Sequence, residues 1–369
     1  MPILVKPFLG CNIACKYCYE AEFRLTNPQK MDYDLDAIIK TMAGLPNNNR
    51  GISLHGGEIL CLPKQDVDRL LAKSMELTGR SQVQTNGTQI DDEWIEIFKR
   101  NKTHVGISCD GWGELNSFRM DVTRTAKLIR TIHRLKEEGF RTSIISVLSR
   151  ANVGTPDKFA SFKEWLLELK DLKIGGRLNP CSATGNPDIE LDMESLVAVY
   201  KDLTLFCMEH GLTWSPMSDL ARKVAGCGAV CVFQGCDIYH TDSATVVLGD
   251  GSVTNCMRTS NEDILLRHPA KYNTRDEILQ EIPQENGGCR GCTYWSYCRG
   301  GCPSTAIDDD WRNRTYLCEL WSGIIEVILN ARKFLNSNIT KKTSKPKDQR
   351  DGHTDSHSNT PHVDTGRNE

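Results

Sequence analysis

The chain has 369 residues, 25% of them charged, and a formal net charge of −3. A balance this even gives no electrostatic reason to expect nucleic acid or a membrane surface as a partner. The opening MPILVKPFLG lacks a charged region followed by a long apolar core, and nowhere do about eighteen apolar residues run together, so neither secretion nor membrane spanning is expected and the compartment is read as cytoplasmic. Sixteen cysteines in a reducing compartment point to metal sites or catalysis rather than to disulfides.

Six short apolar runs, ILVKPF, GISLH, SQVQT, HVGISC, TSIISVL and IGGRL, predict strands in the first two thirds of the chain. Amphipathic stretches between them predict helices over 34–44, 63–79, 91–100, 121–139 and 156–170, and a sixth over 189–210 follows the last strand. The fourth carries Leu128, Ile129, Ile132 and Leu135 on one face and stops at a glycine. Repeated strand–helix units predict parallel strands with right-handed crossovers, whose sites lie at the carboxyl ends of the strands.

Four polar motifs fall at those ends. In CNIACKYCYE, Cys11, Cys15 and Cys18 follow strand one with the spacing CxxxCxxC, and Tyr17 precedes the last thiol. A cubane cluster normally has four thiolate ligands, so three leave one iron open, as a catalytic metal keeps an open position. A CxxC pair also serves zinc or redox sites, the plainer alternative. HGGE follows the second strand, where Glu58 offers a negative oxygen to an ammonium donor and Gly56 and Gly57 let backbone approach a ligand closely. QTNG and SCDG end strands three and four. Helix capping is the expected role of Asn86, whereas for Ser108 and Asp110 both pocket lining and capping stay open on the residues alone. Arg177, at the end of strand six, is a candidate either to clamp a carboxylate of cofactor or substrate bidentately or to form a surface ion pair. Asp110 and Arg177 are thus the two candidate catalytic residues.

CNIACKYC followed by GGE resembles the radical S-adenosylmethionine enzymes, whose signature is CxxxCx(aromatic)C. The resemblance implies an α/β fold, a partial TIM-like (β/α)6 barrel over 1–211. It also implies a [4Fe-4S] cluster on Cys11, Cys15 and Cys18. S-adenosylmethionine would be held by the open iron and by Tyr17, Gly56, Gly57 and Glu58, with Ser108 near its ribose, and cleaved to a 5'-deoxyadenosyl radical.

After Gly211 the strand–helix alternation stops and cysteines cluster. Cys236, then Gly251 and Cys256, then Cys289, Cys292, Cys298, Cys302 and Cys318 reproduce the seven-cysteine pattern of the SPASM domain, a resemblance that covers 226–322. It implies two auxiliary clusters, for three [4Fe-4S] clusters in all. Cys289, Cys292, Cys298 and Cys318 would hold the distal one. Cys236, Cys256 and Cys302 would hold the nearer one with Cys231 as fourth ligand, Cys227 or an open iron being the alternatives. Zinc is the plainer reading of these pairs. Cys61, Cys109, Cys181, Cys207 and Cys227 remain and are read as small buried hydrophobes. Apolar spacing over 319–335 predicts a helix that closes the fold at 323–336, and 337–369, polar and without aromatics, is expected to be disordered.

A radical-generating barrel beside a two-cluster domain resembles the peptide-modifying branch of the superfamily. That implies an oxidoreductase that abstracts hydrogen from a ribosomally made precursor peptide and oxidises the radical to a carbon–carbon or thioether cross-link, fed by flavodoxin or ferredoxin. The alternatives are a sulfatase-type maturase, a small-molecule radical dehydrogenase and a non-enzymatic iron–sulfur or zinc scaffold. Sulfatase maturases carry an aspartate after the GxxxxC cysteine, whereas Met257 follows Cys256 here. A fused leader-binding domain has no room before Cys11, so either the barrel and cysteine-rich region or a separate leader-binding protein is expected to hold the precursor.

Overall fold

The structure, a computed structural model, describes residues 3–26, 32–45, 51–181, 185–228, 236, 245–254, 256 and 274–343. The six expected strands form at Ile3–Lys6 (β1), Ile52–Leu54 (β2), Ser81–Thr85 (β3), Thr103–Ser108 (β4), Thr142–Leu148 (β5) and Gly175–Pro180 (β6). Each pairs in parallel with the next, so the sheet order β6-β5-β4-β3-β2-β1 follows the chain without a skip, as the partial six-unit barrel requires.

The helices along it are Ala21–Thr26 (α1), Leu35–Gly44 (α2), Lys64–Thr78 (α3), Asp92–Arg100 (α4), Val122–Glu137 (α5), Arg150–Val153 (α6), Pro156–Asp171 (α7), Met193–His210 (α8) and Met217–Val224 (α9). Their starts are written in side-chain caps. Asp34 accepts from Ala37 N, Asp91 from Trp94 N, Asp121 from Arg124 N and Asp192 from Ser195 N, each satisfying a backbone donor that the first helical turn leaves open.

Strand alternation sorts the two faces of the sheet. On β5, Thr142, Ile144, Ser146 and Leu148 are buried, while Ile145 and Val147 line a cavity. Successive strand residues point to opposite faces, so the buried set meets the helix layer and the other set faces the barrel interior. Leu128, Ile132 and Leu135 of α5 and Phe162, Trp165 and Leu169 of α7 belong to the same core as Ile144 and Leu148. Truncating a fully buried Trp such as Trp165 costs about 3–5 kcal/mol, which makes this outer layer a main source of stability.

The sheet does not stop at six strands. Thr245–Leu248 (β7) pairs in parallel with β1, and Val253–Thr254 (β8) returns antiparallel on β7. The hairpin is seated tightly: a Cβ on Gly249 would lie 2.2 Å from the Pro7 carbonyl oxygen, and Thr41 of α2 donates to Gly251 O at 2.7 Å. Farther on come Arg275–Glu281 (α10), Trp295–Cys298 (α11) and Cys318–Thr343 (α12). The closing helix therefore begins one residue earlier and runs farther than its sequence pattern predicted. The chain divides into two compact units, Met1–Leu329 and Asn330–Glu369. The tail beyond 343 and Cys231 lie outside the described residues. Among the described residues no helix is long and apolar enough to cross a membrane.

Candidate active site

A cavity of about 350 Å³ opens at the carboxyl ends of the strands, and Cys11, Cys15 and Cys18 all line it. The loop bearing them is pinned to the GGE turn: Gly57 N donates to Phe8 O at 3.1 Å and Glu58 N to Gly10 O at 2.7 Å. A Cβ on Gly57 would stand 2.1 Å from Leu9 O and 2.3 Å from Gly10 O. The glycines of the GGE motif are expected to admit a ligand; at Gly57 the close neighbour is instead the backbone of the cysteine loop.

Glu58, 1% exposed, sits on the cavity wall and accepts from Thr85 Oγ1 and Asn86 N, both at 2.6 Å, and from Leu60 N at 3.0 Å. Burial pushes its pKa up, and these donors offset that only in part. Of the roughly four acceptor positions of a carboxylate, one stays open for a further donor. Asn86 does not cap a helix, since Asp91 caps α4. It accepts from Thr88 N at 2.9 Å and donates to Asn12 Oδ1 at 2.8 Å, which ties the third strand end to the cysteine loop. Ser108 lines the cavity and accepts from Gln84 Nε2 at 2.9 Å.

Behind the cavity lies a buried charge network. The Tyr17 hydroxyl donates to Asp110, Val147 N donates to the same carboxylate at 2.8 Å, and Arg119 stands 4.0 Å from it and 5.7 Å from the Tyr17 ring. Burial raises Asp110 and lifts Tyr17 well above the phenol range, while Arg119 pulls both back. Asp110 is thus held inside the wall and does not line the cavity. Arg177 is placed outside the cavity too, in an ion pair with Asp219 at 3.2 Å, so its carboxylate-clamp reading gives way to the ion-pair alternative. A second buried pair, Lys6 with Glu20, brings Glu20 to the cavity edge beside His55. Burial and then the Lys6 charge lower His55 to about 4, so it is neutral near pH 7.

The three cavity cysteines each face a side-chain N–H. Arg24 Nη2 donates to Cys18 Sγ at 3.3 Å, Arg119 Nη1 to Cys15 Sγ at 3.7 Å and Asn86 Nδ2 to Cys11 Sγ at 4.0 Å. Burial pushes the Cys15 thiol up to about 11, and that proton is one that iron would displace. Three soft donors around an open cavity fit a cluster with one free iron.

A second, small pocket is lined by Cys289, Cys292, Cys298 and Cys318, the four thiols grouped as the distal set. Arg275, 1% exposed at the start of α10, organises the neighbourhood. It donates to the carbonyls of Gly300 (3.3 Å), Gly301 (3.0 Å), Trp311 (2.7 Å) and Asn313 (2.8 Å), tying the turn between Cys298 and Cys302 to the segment that leads into Cys318. Its charge acts on Cys236 and Cys302 as well as on Cys289 and Cys298. Among the described residues no three His, Cys, Asp or Glu side chains converge on a single metal ion; the thiols line cavities instead. Of the leftover cysteines, Cys109, Cys181 and Cys207 are buried as expected, but Cys61 and Cys227 are exposed.

Residues 5–162 match the family model of the Radical SAM superfamily. This part of the chain is a radical SAM domain. Over 365 residues the chain is 24% identical to the cysteine-type anaerobic sulfatase-maturating enzyme of Clostridium perfringens, a match that spans 88% of this chain and 95% of that enzyme. It is 31% identical over 179 residues to the serine-type enzyme of Bacteroides thetaiotaomicron, 43% of this chain and 42% of that one. Among solved structures, native anSMEcpe with bound AdoMet and Cp18Cys peptide aligns at TM-score 0.70 and 20% identity over 92% of this chain and 99% of that one. Streptococcus suis SuiB bound to precursor peptide SuiA aligns at 0.56 and 16%, over 86% and 76%. The shared fold therefore extends past the radical SAM domain into the cysteine-rich region.

Arg24, Arg119, Arg275 and the Lys6–Glu20 pair belong to no sequence motif and come to light only in the fold. Only the position of Arg24, six residues past Cys18 in the same loop and helix, was a local signal for any of them.

Proposed function

We propose that the chain is a radical S-adenosylmethionine maturase that abstracts hydrogen from a ribosomally made precursor peptide and oxidises it to a carbon–carbon or thioether cross-link. The carrying observation is that Cys11, Cys15 and Cys18 meet Glu58 in one cavity at the carboxyl ends of a parallel sheet. Bound there, a [4Fe-4S] cluster with S-adenosylmethionine supplies a hydrogen-atom abstractor able to attack unactivated carbon.

The chain's own residues do the rest. Glu58 offers its open acceptor position to the ammonium of the cofactor, a charge-assisted bond worth about 1.5–3 kcal/mol. Ser108, fixed by Gln84, presents a hydroxyl on the same wall, and Ile145 and Val147 give that wall an apolar stretch that excludes water. Holding one peptide carbon at the cavity mouth is the main demand on the site, because positioning governs which hydrogen is taken. Cys289, Cys292, Cys298 and Cys318 would hold one auxiliary cluster, and Cys236, Cys256 and Cys302 with Cys231 another, giving the substrate's electron a way out. Flavodoxin or ferredoxin would supply the first electron.

The full-length likeness to the Clostridium perfringens enzyme favours a second reading, a sulfatase-type maturase, against which Met257 stands where those enzymes carry aspartate. The test is anaerobic incubation of the reconstituted chain with reductant, S-adenosylmethionine and a short precursor encoded beside its gene. Formation of 5'-deoxyadenosine with a peptide lighter by two hydrogens supports the cross-link. Formylglycine in a sulfatase peptide moves the assignment to the second reading, and turnover of a sugar alcohol alone overturns both.

A further inference from the structure

The donors on the three cavity sulfurs come from separate parts of the chain. Arg24 lies 6 residues from Cys18, Asn86 75 residues from Cys11, and Arg119 104 residues from Cys15. Convergence from such separations is a property of the fold rather than of the loop. Two of the three donors also have other anchors: Arg119 Nε donates to Ser108 O at 3.3 Å, and Asn86 Nδ2 donates to Asn12 Oδ1 at 2.8 Å. Arg24 is carried by α1, whose Ala21 N caps back onto Cys18 O at 3.1 Å. Two of the three donors bear a full positive charge. Hydrogen bonds and positive charge at the sulfurs favour the electron-richer state of an iron–sulfur centre and so raise its potential.

We propose that Arg24, Arg119 and Asn86 are positioning residues that set the reduction potential of a cluster on Cys11, Cys15 and Cys18, the arginines acting chiefly by charge and Asn86 by its hydrogen bond. The proposal rests on the reading that these cysteines hold a cluster. Its consequence is that one electron passes more readily from a flavodoxin-type donor to this site than the bare thiolate set would allow.

The experiment is a redox titration of the anaerobically reconstituted full-length chain, followed by electron paramagnetic resonance on the signal that S-adenosylmethionine perturbs, with iron content measured alongside. Arg24→Leu and Arg119→Met should each shift that midpoint to more negative potential, and Arg24→Lys should recover most of the shift. Wild-type midpoints in both variants at full iron content would overturn the proposal. If Arg24→Leu loses iron, Arg24→Gln, which keeps a donor but drops the charge, decides by the same criterion. A wild-type chain with no signal sensitive to S-adenosylmethionine would overturn the cluster reading beneath the proposal, an outcome distinct from unshifted variants.

Discussion

The Tyr17 hydroxyl donates to the Asp110 carboxylate, joining residues 93 positions apart. Through this one carboxylate the cysteine loop is fastened to β5, because Val147 N donates to its other oxygen. Asp110→Ala strands that N–H, the Tyr17 hydroxyl and the nearby Arg119 charge; breaking a buried pair in this way costs about 3–5 kcal/mol. Tyr17→Phe gives up a single hydrogen bond, about 1 kcal/mol. Thermal unfolding of the purified variants should place Asp110→Ala well below Tyr17→Phe, and equal midpoints would contradict the network.

Glu58→Gln should weaken S-adenosylmethionine binding by about 10- to 100-fold, the equivalent of one charge-assisted hydrogen bond. Iron content should stay at the wild-type level, since Glu58 touches the loop only through its backbone N–H. Equilibrium dialysis with labelled cofactor measures the first quantity and iron analysis the second.

His55 makes stability depend on pH. Its pKa in the fold is about 4, below the roughly 6.5 of an unfolded chain, so between these values the unfolded state binds more protons. Stability from this residue is therefore fully present above pH 6.5 and is lost as pH falls toward 4. His55→Gln should flatten the unfolding midpoint across that window, and an unchanged slope in the variant would remove His55 as the cause.

Gly57→Ala pushes a methyl group into two backbone carbonyls that no side-chain rotation can move. The cost should reach at least the ~3 kcal/mol end of the overpacking range. Iron should be lost from the Cys11–Cys15–Cys18 site while the Cys289–Cys292–Cys298–Cys318 pocket keeps its own, a difference that resonance spectra of the two sites would resolve.

Cys298→Ala should separate two activities. The cavity at Cys11, Cys15 and Cys18 does not include Cys298, so reductive cleavage of S-adenosylmethionine should persist while peptide product is lost. Wild-type product yield from the folded variant would show that the distal thiols are dispensable.

The barrel was legible because its signals are local. Aspartate caps, strand alternation and glycine stops each act within a few residues, and β3 and β5 formed over the runs that predicted them. The cysteine, GGE and SCDG motifs were legible for the same reason, and their meeting at one end of the sheet followed from the parallel order. What the sequence concealed depends on distant partners. β7 and the two-residue β8 are too short to stand out in a cysteine-rich stretch, and they exist because β1 offers a free edge. Arg119 and Arg275 read as ordinary surface charges until folding buries them against sulfur and carbonyl oxygen. Asp110 does follow the end of β4, whereas Arg177 falls inside β6 because that strand runs on to Pro180; whether a side chain enters a cavity or a wall depends on neighbours from other strands.

The parallel seam between β1 and β7 also has a consequence in time. β1 emerges from the ribosome well before β7, and Ile3 finds Thr245 as its partner only after the five other strands of the barrel have been made. Pairings this distant in sequence form late, since loop closure must precede the contacts that reward it. Until then the strand that carries the cysteine loop is bordered on one side only, by β2. Closure of the sheet around the strand that leads into Cys11, Cys15 and Cys18 is therefore a late event in the life of the nascent chain, although the residues of the loop itself are among the early ones made.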